Sequence, residues 1–374
     1  MARIYSNLPE LLQLRSHRSS LKQITALLII SAIITLLILS HGLRRLFSIL
    51  SIADFNLIIK IIATILLLLI PVAGIYSLFT QFAFWEGWLQ GLPDANSIFK
   101  ADLFESKKAS NKQVSNSYLV YLDGIHQTEK DHPPRVSDFL DDLQLNLPKN
   151  VFLLRGLDSY TVMPTSLVDD AGSAWIWRNL FQFQEHHNNW LVRFICAFLV
   201  QANNIIKVGI SSDRRYGPIL NYELSLKIAM RLTEVGYKRG NEIILFGYSG
   251  GAEMAMGVAD YLRRICSSPL QIITCCGVFS GNQIIDQVNS IYTLIGTRDP
   301  VAAFGQIAYL GRSPLLPLSN WNKESTRGII KRVEIKGMSH NGKTGPFSKL
   351  YKHQVVNSII TCLGNEAVEA QEKD

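Results

Sequence analysis

Hydrophobic and polar positions divide this chain into an apolar first part and an alternating second part. From Ile24 to Ser40 the sequence carries no charge and consists almost wholly of Ile, Leu, Ala, Ser and Thr. Ile61 to Phe79 repeats the pattern with Pro71 as an interruption. Each run approaches the roughly 20 residues that cross a bilayer, and core helices of globular proteins seldom run so long without charge. The pattern predicts an all-α transmembrane hairpin within residues 1–90, and Phe82, Phe84, Trp85 and Trp88 follow where an interfacial aromatic belt sits. A cleaved signal peptide fits the first run poorly, because a long polar stretch precedes it and Arg44-Arg45 separate it from a weak small-residue site at Ser51 to Ala53.

Residues 91–116 turn polar and read as a linker. Beyond them, strand-like apolar runs at 117–122, 150–154, 242–246, 271–278, 290–295 and 329–335 alternate with helical periodicity at 136–145, 219–235, 250–265 and 347–363. Such alternation predicts an α/β domain over residues 117–365, a doubly wound, mostly parallel sheet, followed by a charged tail at 366–374. At about 160–210 the simple alternation breaks, with Trp175, Trp177, Phe181, Phe183, Trp190, Phe194 and Phe198 among polar residues. Large aromatics serve equally as a cap over a site and as an ordinary helix packed on the sheet.

Candidate chemistry concentrates at Gly247-Tyr248-Ser249-Gly250-Gly251, between the apolar run 242–246 and the helical run 250–265. A strand entering a helix through so tight a turn forces its central residue into a strained backbone, and side chains at 247 and 251 would collide across it. The helix N-terminus then points at Ser249 and favours anionic intermediates there. A serine hydroxyl is a weak nucleophile at neutral pH and needs a base beside it, with a carboxylate to hold that base in the right tautomer. Asp299 follows the run 290–295 and His340 follows the run 329–335, so both sit just past strand ends and all three residues converge on one edge of the sheet. Asp286 and His353 are the rivals, but each falls within a helix-like or turn-like segment. Before Pro300, Asp299 also reads as an ordinary turn former.

With serine, acid and histidine in this order, each after a strand, residues 117 to 363 resemble the α/β-hydrolase superfamily. The resemblance implies that Ser249 is the nucleophile, His340 the general base and then acid, and Asp299 the residue orienting His340. It also implies an oxyanion hole with one donor from Gly250 and a second from the loop Leu122-Asp123-Gly124-Ile125-His126, through the amide of Ile125 or of Gly124. In that loop the family's usual histidine-glycine pair is replaced by Asp123-Gly124.

Composition narrows the partners. At 374 residues and 48% hydrophobic, the chain can bury a full α/β core and still carry the apolar first part. Its net charge of +7 is spread over isolated pairs such as Arg214-Arg215 and Lys331-Arg332, without the long basic runs and interleaved aromatics of a nucleic-acid site. Five cysteines show no metal-ligand spacing and read as reduced, buried thiols. His126, His132, His186 and His187 match no ligand pattern and read as solvated, so no metal or cofactor is expected. Two spans put both chain ends on one side of the membrane, and Arg3, Arg15, Arg18 and Lys22 against Arg44, Arg45 and Lys60 favour the cytoplasmic side slightly. The expected partners are the lipid bilayer and a small-molecule or lipid acyl substrate, and oligomeric state has no signature in the chain. The expected activity is hydrolysis of a carboxylic ester or thioester; a peptidase, amidase or acyltransferase would use the same residues, and a non-catalytic membrane protein would use the fold as a binding surface.

Overall fold

A computed structural model of the chain describes residues 115–126, 132–160, 182–184, 186–214 and 217–371. The two apolar runs expected to span a membrane, and nearly all of the linker, lie outside these residues. The chain divides into two units, Met1–Leu92 with Val162–Lys207 and Pro93–Thr161 with Val208–Asp374. The sheet and every candidate site residue belong to the second.

Described elements run in the order β1 (Ser117–Leu122), α1 (Pro134–Asn146), β2 (Val151–Leu154), α2 (Trp190–Ser212), α3 (Gly217–Glu234), β3 (Glu242–Tyr248) and α4 (Gly251–Cys266). They continue with β4 (Leu270–Cys275), β5 (Ser290–Gly296), α5 (Pro300–Ala308), α6 (Asn320–Thr326), β6 (Ile330–Ile335) and α7 (Lys352–Gln371). The six strands form one sheet in the order β2-β1-β3-β4-β5-β6, and every neighbouring pair is parallel. The chain therefore builds outward from β1 to β2, then crosses back and extends the other way from β3. Between β1 and β3 the winding reverses, and in such sheets ligands bind in the crevice beyond the carboxyl ends of the strands at that switch point.

Parallel strands buried on both faces read as continuous apolar runs, and β1 and β4 are buried along their whole length. Alternate residues separate the two faces. Leu119, Tyr121, Ile244, Phe246, Ile273, Tyr292 and Leu294 form one core with Val136, Phe139 and Leu140 of α1 and Val355, Val356 and Ile359 of α7. Helix α4 packs against β3, β4 and β1, and α3 packs on α4. Each fully buried side chain of this size contributes roughly 1.5–3 kcal/mol through removal of apolar surface from water.

Most boundaries fall within about two residues of the sequence expectation, and three differ by more. Strand β4 ends at Cys275 instead of 278, because Cys276 takes a left-handed φ of 51° that turns the backbone out of the sheet. Helix α7 starts at Lys352 instead of 347, after a short 3-10 turn at Gly342–Thr344 and the Gly345-Pro346 break. It also runs on to Gln371, into the expected charged tail, where Glu366-Ala367-Val368-Glu369-Ala370 holds no helix breaker. Helix α2 is long and apolar enough to cross a membrane by length and composition. Most of the aromatic segment ahead of it, residues 161–181, lies outside the described residues.

Candidate active site

Ser249 occupies the turn from β3 into α4 with φ 51°, one of three non-glycine residues at positive φ among those described. Three backbone hydrogen bonds hold this conformation: the Ser249 amide donates to Cys275 O at 3.1 Å, and Ser249 O accepts from Ala252 N at 3.1 Å and Val278 N at 3.0 Å. The flanking glycines are required by close approach. A Cβ on Gly247 would lie 2.5 Å from Gly251 O, and one on Gly251 would lie 2.2 Å from Leu122 O. Position 247 is thus crowded across the turn, as its spacing suggests, whereas position 251 is crowded by the neighbouring strand.

Register carries the other residues to the same edge. Leu122 sits opposite Gly247, Tyr248 opposite Cys275, and Gly296 opposite Ile335, so the loops after β1, β3, β4, β5 and β6 leave the sheet side by side. His340 Nε2 lies 2.9 Å from Ser249 Oγ. His340 Nδ1 lies 3.1 and 3.0 Å from the two carboxylate oxygens of Asp299. Because Asp299 accepts, Nδ1 carries the proton and Nε2 accepts from the serine hydroxyl. Asp299 also caps α5, taking hydrogen bonds from Val301 N at 3.0 Å and Ala302 N at 2.9 Å. Burial pushes its carboxyl up, but the hydrogen bonds from His340 and the Ala302 amide outweigh it and hold the pKa below the usual 3.8. At neutral pH the group is therefore ionised. The rivals take no part: Asp286 is exposed in a turn, and His353 lines a surface groove with Tyr292, Val333 and Leu350.

The loop after β1 packs directly on this turn. A Cβ on Gly124 would touch Ser249 Cβ at 3.2 Å, and one on Gly250 would meet Val208 Cγ2 at 2.9 Å, Ile125 Cγ2 at 3.0 Å and Tyr160 Oη at 3.1 Å. Gly250 and Ile125 are thus immediate neighbours beside the serine. The Gly124 amide donates to Asp123 Oδ1 at 2.7 Å, which engages one of the two amides proposed for the second donor.

No family model matches the chain, and no curated protein matches it. A hydroxyl that donates to an imidazole, which in turn donates to a buried ionised carboxylate, can lose its proton as it attacks an electrophilic carbon. Gly250 is the N-cap of α4, so its amide lies at the positive end of that helix dipole, beside Ser249.

Several participants were not read from the sequence. His132 is not solvated: its side chain is 6% exposed, and Nδ1 meets Asp123 Oδ2 at 2.8 Å. The Tyr248 hydroxyl donates to His340 O at 2.8 Å, and its ring stacks on the imidazole at 5.7 Å. Buried Cys276 turns its thiol to Ser339 O at 3.7 Å and to Asp299, so that Cys276, Asp299 and His340 place ligand-type atoms within 4.8 Å of one another. In that group the imidazole and carboxylate already satisfy each other. Glu253, one turn along α4 from Ser249, is fully buried and accepts from Ser280 N at 2.5 Å and Gln283 Nε2 at 2.7 Å. An acid on the buried face of an apolar helix was the available signal for Glu253. For Cys276 and Tyr248 there was none, since their partners are far away in the chain.

Proposed function

We propose that this chain is a membrane-anchored serine hydrolase of α/β-hydrolase type, cleaving a carboxylic ester or thioester through an acyl-enzyme. The observation that carries the reading is the unbroken hydrogen-bonded series from Ser249 Oγ through His340 to Asp299 at the switch point of the sheet. Ser249 attacks the acyl carbon as His340 takes its proton, and the oxyanion is received by the amide of Gly250 and a donor from the loop after β1. His340 then protonates the leaving group. Water activated by His340 releases the acid and restores the serine.

The membrane anchor rests on the uncharged runs 24–40 and 61–79, and the cytoplasmic side on the flanking charges and on five buried cysteines that form no disulfide. A lipid acyl substrate is favoured by that anchoring and by the helix that Asp299 caps. On α5, Phe304 and Ile307 are 67% and 75% exposed, an apolar surface beside the site. The test is labelling of the full, detergent-solubilised chain with a fluorescent fluorophosphonate. Wild type is expected to label, and Ser249→Ala and His340→Ala to lose labelling. A folded wild type that does not react would remove the hydrolase reading.

A further inference from the structure

The loop after β1 is held by a second buried acid and histidine pair that takes no part in the proton transfer described above. Asp123 is 3% exposed and its carboxylate accepts three hydrogen bonds: from Gly124 N at 2.7 Å, Tyr121 Oη at 2.9 Å and His132 Nδ1 at 2.8 Å. The second nitrogen of His132 accepts from the backbone amide of Gly156 at 3.1 Å. An amide can only donate, so His132 is the tautomer with its proton on Nδ1, and it bridges the loop after β1 to the loop after β2. With Nε2 engaged by a backbone amide, this imidazole is not placed to act as a base. The Asp123 carbonyl is fixed as well, accepting from Tyr160 Oη at 2.9 Å. The peptide group between Asp123 and Gly124 is thereby pinned at its carbonyl and at its amide, next to Ile125, and Gly124 and Ile125 lie against Ser249 and Gly250.

We infer that Asp123 and His132 are positioning residues, which hold the Gly124–Ile125 backbone in the geometry that receives the oxyanion. The inference rests on the hydrolase reading for its catalytic part. Oxyanion stabilisation depends on donors fixed before the charge develops, and loss of a single such donor costs about 100- to 1,000-fold in rate. A loop whose only fault is greater freedom should lose less. In His132→Phe the ring that lies edge-on to Tyr121 at 5.3 Å is kept, while the hydrogen bonds to Asp123 and Gly156 are removed. Asp123→Asn keeps the shape and removes the charge.

The experiment uses the full chain in detergent and follows three readouts: melting temperature, fluorophosphonate labelling rate against pH, and hydrogen exchange of the peptide covering residues 122–127. Both variants are expected to remain folded, to exchange faster in that peptide, and to label about 10- to 100-fold more slowly with the wild-type pH midpoint. An unchanged midpoint separates positioning from proton transfer, because neither variant replaces the base that takes the serine proton. Labelling within twofold of wild type, or exchange unchanged in a folded variant, would overturn the inference. Should wild type itself fail to label, the hydrolase reading falls, and the exchange measurement alone decides whether the pair holds the loop.

Discussion

Asp299 shows how much one side chain can decide. It orients His340 and caps α5 with the same carboxylate, so its substitution separates two roles. Asp299→Asn keeps an oxygen for the cap but can present an NH2 group to Nδ1, favouring the wrong imidazole tautomer. The labelling rate is expected to fall on the order of 10,000-fold, while stability changes by about 1 kcal/mol or less. A rate within tenfold of wild type would leave Asp299 as a turn former and helix cap alone. At this scale Ser249, Asp299 and His340 were legible because each directly follows a recognisable strand. Asp123, His132 and Tyr248 were not, since what they do depends on partners brought near by the fold.

Helix α4 links the serine to the loop between β4 and β5 through Glu253. Burial raises this carboxyl from 4.5 to about 7, against hydrogen bonds from Gln283 and Ser280 and the nearby charge of Arg312 that pull it down. The Arg312 guanidinium lies 3.9 Å over the Phe279 ring, and burial lowers it to about 10, so it stays charged at neutral pH. Between pH 4.5 and about 7 the folded protein holds a proton on Glu253 that the unfolded chain has released. Stability contributed by this group therefore falls as pH rises from 4.5 to about 7 and is level above, a loss on the order of 3 kcal/mol. Glu253→Gln is expected to flatten that part of the profile in melting experiments between pH 5 and 8. A variant with the wild-type slope would assign the titration elsewhere. Element types and order were legible from periodicity, whereas three ends were not. They depend on the left-handed turn at Cys276, the break at Gly345-Pro346 and the absence of a breaker in the tail.

For the whole molecule, the two uncharged runs make a prediction that does not depend on the triad. The full chain is expected to stay in the membrane pellet after alkaline carbonate extraction, and a C-terminal tag is expected to be digested only from the cytoplasmic face. Release into the supernatant would remove the anchor, and digestion from the opposite face alone would reverse the topology. By itself the sequence determined the α/β class, the strand and helix alternation and the placing of Ser249, Asp299 and His340 just past strand ends, because hydrophobic period and strand-end position are local properties of the chain. Only the tertiary structure decided the strand order, with its reversal between β1 and β3, and the meeting of Ser249 with His340 across 91 residues. Only it, too, joined Asp123 to His132 and Gly156. Parallel pairing and register set which loops share an edge, and a hydrogen bond exists only where such loops meet.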